Sequence, residues 1–256
     1  MFKIQCIALY TLVRREIVRM FNIKSQTFLP PVMTTLLYFI IFGGIVGGRI
    51  GLLEGFKYNT FIAPGLVMLA VINNAFNNVV SSFYVARFQR SIEEMLVSAM
   101  HWGVLILGFA IGGIVRGLIN GILVILVAYF FTDIQLIHIL PTLGLIMLVS
   151  AVFAMAGFLN GMLARNFDEI AFIPTFILTP LIYLGGIFYN KTMLSPFWQK
   201  IMFLNPIYCI ISATRQLMLG TQEINMTLAI CAILTLLVIL ATLNCVLIKK
   251  GVGIRD

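Results

Sequence analysis

Trp102 to Phe131 reads WGVLILGFAIGGIVRGLINGILVILVAYFF, an apolar run broken by one charge, Arg116, and by no proline. A helix rises about 1.5 Å per residue, so roughly 20 such residues cross a hydrocarbon core of about 30 Å. Five further runs qualify: Phe28–Gly48, Thr60–Phe83, Ile139–Leu163, Ile170–Tyr189 and Asn225–Ile248. The composition agrees, with 61% apolar and only 10% charged residues among 256. A soluble domain of this size carries about a quarter charged residues. The reading is an all-α polytopic membrane protein with six transmembrane helices.

Basic residues set the expected orientation. With the N-terminus inside, the inner segments hold Lys3, Arg14, Arg15, Arg19, Lys24, Arg87, Arg90, Arg165, Lys249, Lys250 and Arg255. The outer ones hold Arg49, Lys57, Lys191, Lys200 and Arg215. Both termini are therefore expected in the cytoplasm. The net charge of +8 reads as charge gathered beside anionic lipid rather than a nucleic-acid groove, for which there is too little soluble chain. No cleavable signal peptide is evident, and the whole of 1–256 reads as one membrane domain.

Three segments outside the spans carry information. In residues 1–24, Phe2, Cys6, Leu9, Val13, Ile17 and Met20 fall on one stripe, opposite Thr11, Arg15, Arg19 and Asn22. That pattern predicts an interfacial amphipathic helix, with Pro30 and Pro31 marking the turn into the first span. The inner loop, 84–101, is far longer than a tight hairpin needs. Its Arg90 and Glu94 at i,i+4, with Ile92, Met95 and Leu96 as an apolar ridge, predict a short helix suited to docking. Residues 190–222 are apolar but interrupted by Pro196, Lys200, Pro206 and Arg215, which predicts a re-entrant or outer helical pair.

Some polar residues fall inside the spans. Arg116 lies near mid-depth, where a charge is costly unless it faces protein or water. It is expected either to hydrogen-bond carbonyls and asparagines or to attract an anionic group of a substrate. Asn73, Asn77 and Ser81 share one face of the second span, and Asn74, Asn78 and Ser82 the adjacent one. Four amides need protein or a wet cavity, so either a translocation lining or a hydrogen-bond cluster fits. Gly113, Gly117 and Gly121 allow close helix approach, within the chain more readily than between copies. Asp168 or Asn166 is expected to cap the fifth span.

Catalysis and metal chemistry find little support. No Gly-x-Ser-x-Gly elbow or His-Glu-x-x-His helix occurs. His101 and His138 are far apart, and Cys6, Cys209, Cys231 and Cys245 form no ligand spacing. There is no G-x-x-x-x-G-K-[ST] loop to cradle ATP phosphates.

The inner loop Arg87-Phe-Gln-Arg-Ser-Ile-Glu-Glu-Met-Leu-Val-Ser-Ala-Met100 resembles the coupling helix of the ABC-2 type permease family, the membrane half of bacterial ATP-binding-cassette exporters. It departs at Ala99, where that family usually has proline. Pro180 to Tyr189, Phe197 to Pro206 and Ile207 to Gly220 resemble the end of the family's fifth span and its outer pair, with Arg215 and Gly220 in matching places. Within the family the chain is most similar to the YadH-like permeases of Gram-negative inner membranes. The resemblance implies a homodimer, with Arg87, Arg90, Glu93, Glu94 and Leu96 coupling to a separate cytoplasmic ATPase that binds the ATP. It implies no cofactor on this chain, and a substrate that is amphipathic, lipid-like, glycan or drug. Asn73, Asn77, Ser81 and Arg116 are the candidates for the pathway. A secondary transporter or channel is the alternative, although coupling-ion carboxylates are not visible in the spans.

Overall fold

The computed structural model describes residues 2–97, 100–134 and 137–252, without the side chains of 44–46, 50 and 96. Ala99 and Arg255 therefore lie outside the described residues, as does the side chain of Leu96. Six helices are long and apolar enough to cross a membrane. The chain runs α1 (Phe2–Asn22), α2 (Lys24–Arg49), α3 (Tyr58–Phe88), α4 (Ser91–Val97), α5 (Trp102–Phe131), α6 (Ile139–Leu163), α7 (Phe167–Leu184), α8 (Pro196–Leu204), α9 (Pro206–Leu219) and α10 (Met226–Lys249). The six spans are α2, α3, α5, α6, α7 and α10.

Helix α3 is the hub. Nearly all of its length is buried, against α5, α6 and α9. Small residues permit this. Gly113, Gly117 and Gly121 of α5 face Val79, Ala75 and Val71 of α3, while Gly157 of α6 sits over the Phe76 carbonyl. The glycine stripe thus serves packing within the chain. By contrast α2, α7 and α10 stay mostly uncovered, with large apolar side chains such as Leu37, Phe176 and Val238 outward.

The N-terminal helix buries a face that takes in Met20 of the apolar stripe and is otherwise set by Leu12 and Glu16. Phe2 and Cys6 are exposed, whereas Leu12, Glu16 and Met20 are buried. The reason is lengthwise packing on α5. Gln5 accepts from the His101 backbone N–H, Leu12 covers Gly108 and Glu16 covers Gly112, each pair 96 positions apart. A constant offset means two helices lying side by side in parallel. The turn is also not at the prolines. It falls at Ile23, and α2 continues through Pro30 and Pro31, whose missing N–H groups leave the carbonyls of Gln26 and Thr27 without their helical donors. Further on, Phe39–Val46 widens into a π-turn, and Phe39 stacks on Phe131 at the far end of α5.

Gln5 of α1 and Lys249 of α10 both reach the start of α5 at the α4 end of the bundle, where Lys249 lies over the Trp102 ring. At the opposite end, β1 (Leu52–Leu53) and β2 (Phe56–Lys57) form a small hairpin. Its turn places Glu54 and Gly55 at positive φ, the geometry that favours two-residue hairpin loops. Residues 190–222 hold two short helices, α8 and α9. Of these α9 is largely buried, and it ends at Gly220 in the left-handed conformation.

Candidate functional site

The two polar faces of α3 have different surroundings. Asn74, Asn78 and Ser82 turn inward and are buried. Ser82 Oγ donates to Glu16 Oε2 across 2.6 Å, and the same carboxylate accepts from Arg19 at 3.1 Å and Arg15 at 3.3 Å. Arg19 also donates to Asn78 Oδ1 at 2.9 Å. Arg116 reaches that oxygen from the other side at 3.3 Å and Asn74 Oδ1 at 3.4 Å. The cluster thus holds three arginines and one carboxylate. Among the described residues no carboxylate pairs with Arg116. Glu16 carries no signal in the sequence, where it stands among basic residues of a helix whose polar positions are expected to face headgroups.

Asn73, Asn77 and Ser81 face outward from α3, toward α1 and α2. Asn77 is exposed and Asn73 half-buried, while Ser81 donates to the Asn77 carbonyl. Asn73 and Asn77 line a groove of about 220 Å³ with Gln26, Pro30, Thr34 and Arg116. Two more hollows continue it along the same helix edge. Toward the α4 end, one of about 410 Å³ is bounded by Arg15, Arg19, Asn22, Ser81 and Gln89. Toward the hairpin, one of about 470 Å³ is bounded by Gly43, Lys57, Asn59 and Asp133. Lys57 and Asp133 are exposed and paired at 2.7 Å, which holds the carboxyl below and the amine above their ordinary ranges.

At the α3–α4 corner, the predicted docking residues divide. Arg87 donates to the carbonyls of Met162 and Ala164 at 3.1 and 2.8 Å, tying the end of α3 to the end of α6. Arg90 turns the corner at positive φ, and Ser91 Oγ donates to the Ala86 carbonyl. Ile92 is buried, so it anchors α4 rather than joining an exposed ridge. Glu93 and Glu94 are exposed in the first turn of α4. Among the described residues Arg90 and Glu94 form no ion pair. Arg87, Arg90, Glu93 and Arg165 line a cleft beside the corner. Asn166 caps α7 by accepting from the Glu169 N–H at 2.9 Å.

This order of parts, with six apolar helices, a charged corner helix after the second and a short pair before the last, agrees with one family. The ABC-2 type transporter profile matches residues 7–219. The chain belongs to the ABC-2 type transporter family. This permease is 44% identical to the inner membrane transport permease YadH of Escherichia coli (strain K12), over the full length of both. It is also 26% identical to nodulation protein J of Neorhizobium galegae, over 93% of this chain and 91% of that one. A membrane-transport role follows from the family.

A second buried cluster of the permease lies at the hairpin end. Arg215, although 1% exposed, donates to Glu223 at 2.7 Å and to the Gly186 carbonyl at 2.8 Å, with its guanidinium 3.9 Å from the centre of the Phe61 ring. Asn190 Nδ2 donates to Glu54 Oε1 nearby. Desolvation and the adjacent Glu223 carboxylate raise the Glu54 carboxyl above its ordinary range. Neither glutamate is signalled in the sequence: Glu54 sits in a hairpin turn 136 positions from Asn190, and Glu223 lies beyond the left-handed turn at Gly220.

Proposed function

We propose that this chain is the membrane half of an ATP-driven exporter in a bacterial inner membrane, working as a homodimer with a separate ATPase docked at the α4 end. The corner helix carries this reading. A short helix with two exposed carboxylates stands at the end of the most buried helix of the bundle. Ile92 anchors it there, and Arg87 braces the end of α3 against the end of α6. A push on α4 is then delivered to α3 rather than absorbed by a flexible loop. The ATPase supplies the ATP-binding loop that this sequence lacks. The α4 end, with its excess of basic residues, is assigned to the cytoplasm, together with both termini.

Dimerisation is assigned to the uncovered apolar face of α7, with lipid covering α2 and α10. Asn73, Asn77, Ser81 and Arg116 are assigned to the transport pathway, and Glu93, Glu94, Arg90 and Leu96 to the ATPase contact.

The test is co-expression with the product of the neighbouring gene, which this reading expects to be the ATPase. The expected result is a co-purifying complex whose ATP hydrolysis drives export in vesicles. Glu93→Ala with Glu94→Ala should leave both proteins folded but separate hydrolysis from transport. Export by the purified chain alone, driven by a proton gradient, would show a secondary transporter instead.

A further inference from the structure

We propose that the seam between α1–α2 and α3 is a lateral track for the phosphate headgroup of a lipid substrate, whose acyl chains remain in the bilayer as the headgroup moves. The proposal rests on the exporter reading and names the substrate class and route.

The three hollows beside α3 are in series. Moving along α3 from the α4 end, they are lined by Ser81 to Ser91, then Leu66 to Asn77, then Lys57 to Thr60. The opposite wall runs the other way through the chain, from Arg15 to Ile23, then Gln26 to Thr35, then Gly43 to Leu52. Antiparallel walls in matching order describe one seam along the length of the bundle.

Cations mark each stage of the seam. Arg19 stands in the first hollow, Arg116 in the second and Lys57 in the third. Arg19 shares Glu16 with Arg15, and Lys57 has Asp133. Arg116 alone meets only neutral amide oxygens, through two long hydrogen bonds, and it also lines the groove. An arginine fork is well matched to phosphate oxygens.

Depth separates substrate from resident lipid. Arg116 is near the middle of α5, about 21 Å from either end at 1.5 Å per residue. An annular lipid keeps its headgroup at the membrane surface. A headgroup at Arg116 therefore belongs to a lipid between leaflets. The outer flank of α2 offers Leu29, Met33 and Leu37, all exposed, for the acyl chains. Gln26, Thr34, Asn73 and Asn77 supply the polar contacts that a moving headgroup needs.

The test uses the full chain in phosphatidylcholine vesicles containing a few per cent phosphatidylglycerol with a photoreactive headgroup. Illumination should label residues 26–35 and 66–77 well above a phosphatidylcholine probe of the same design. Arg116→Gln should reduce that labelling about tenfold, the loss of one charge-assisted contact. Asn77→Asp keeps the arginine but brings a carboxylate into its groove, and should reduce labelling similarly. Equal labelling by both probes, label confined to the ends of the spans, or two variants that label like the parent would each overturn the proposal. Suppression by inorganic phosphate would overturn it too, by assigning the groove to a soluble anion. Labelling needs neither ATPase nor nucleotide, so its failure leaves the exporter reading standing. Loss of the ATPase partnership would in turn leave the labelling interpretable.

Discussion

Ser82 and Glu16 are 66 positions apart in the chain and 2.6 Å apart across a buried hydrogen bond. The bond joins the N-terminal helix to the hub of the bundle. Glu16 also holds Arg15 and Arg19, whose side chains remain 39% and 31% exposed. Removing the carboxylate leaves two arginines and a serine without their shared acceptor. Glu16→Ala should cost about 2–3 kcal/mol, less than a fully buried pair because both arginines keep some solvent. Glu16→Gln retains an acceptor for Ser82 and should cost less. Thermal unfolding in detergent measures both, and protease cleavage near residue 22 should rise first if α1 has come away.

The α3–α6 contact is equally specific. A Cβ on Gly157 would lie 2.5 Å from the Phe76 carbonyl oxygen, a backbone atom that cannot rotate aside. Gly157→Ala must push the two helices apart, with an expected loss of about 1–3 kcal/mol. Gly144, on the same helix, has nothing within 4 Å of the corresponding position. Gly144→Ala should be neutral or raise stability by about 0.5–1 kcal/mol through better helix propensity. The pair, compared by melting temperature, separates close packing from a general effect of glycine replacement.

These relationships show what could be read from residue order. Hydropathy placed α5 and α6 at their observed limits, since a bilayer demands long apolar helices whatever their neighbours. The asparagines of α3 were recognisable as two faces because helical spacing is a local property. Their partners were not. Whether Asn78 meets Arg19, Arg116 or water depends on how helices are arranged around α3, and periodicity says nothing about rotation or neighbours. The stripe from Phe2 to Met20 likewise could not show which side of α1 packs on α5. It ranked α1 by its most apolar side, whereas close approach to Gly108 and Gly112 selected the side bearing Leu12 and Glu16. Arg215 and Glu223 are eight positions apart, but the left-handed turn at Gly220 between them folds the chain back in a way that spacing alone does not reveal.

Glu54 gives the hairpin end a pH dependence. Its carboxyl titrates above the ordinary range because it is desolvated beside Glu223, against smaller opposing effects from Arg215 and Asn190. A carboxyl raised in the folded state favours the proton there. Its contribution is therefore present at acidic pH and lost as pH rises from the usual carboxylate range through the raised value. The melting temperature should fall as pH rises from about 4 toward 7, and Glu54→Gln should flatten that part of the profile. An unchanged profile in the variant would assign the dependence to other groups.

The Arg215–Glu223 pair should behave as a unit rather than as two separate contributions. Arg215 donates from one nitrogen to Glu223 and from another to the Gly186 carbonyl, while its plane covers Phe61. Glu223 also accepts from Ser212 at 2.7 Å. Breaking a buried pair by removing one partner typically costs about 3–5 kcal/mol, because the other charge is left desolvated. Arg215→Ala should reach that range and lower the yield of folded protein. Arg215→Lys should be intermediate, since an ammonium keeps the charge but cannot bridge both acceptors and stack on the ring in the fork's geometry. Glu223→Gln keeps the Ser212 contact but strands the guanidinium, so it should also be costly. The decisive comparison is the double variant Arg215→Met, Glu223→Gln. With no charge left to desolvate, it should be more stable than Arg215→Ala, and its loss smaller than the two single losses together. If instead the losses add, the two residues support the fold independently and the ion pair is not what fastens the loop after α9 to the bundle.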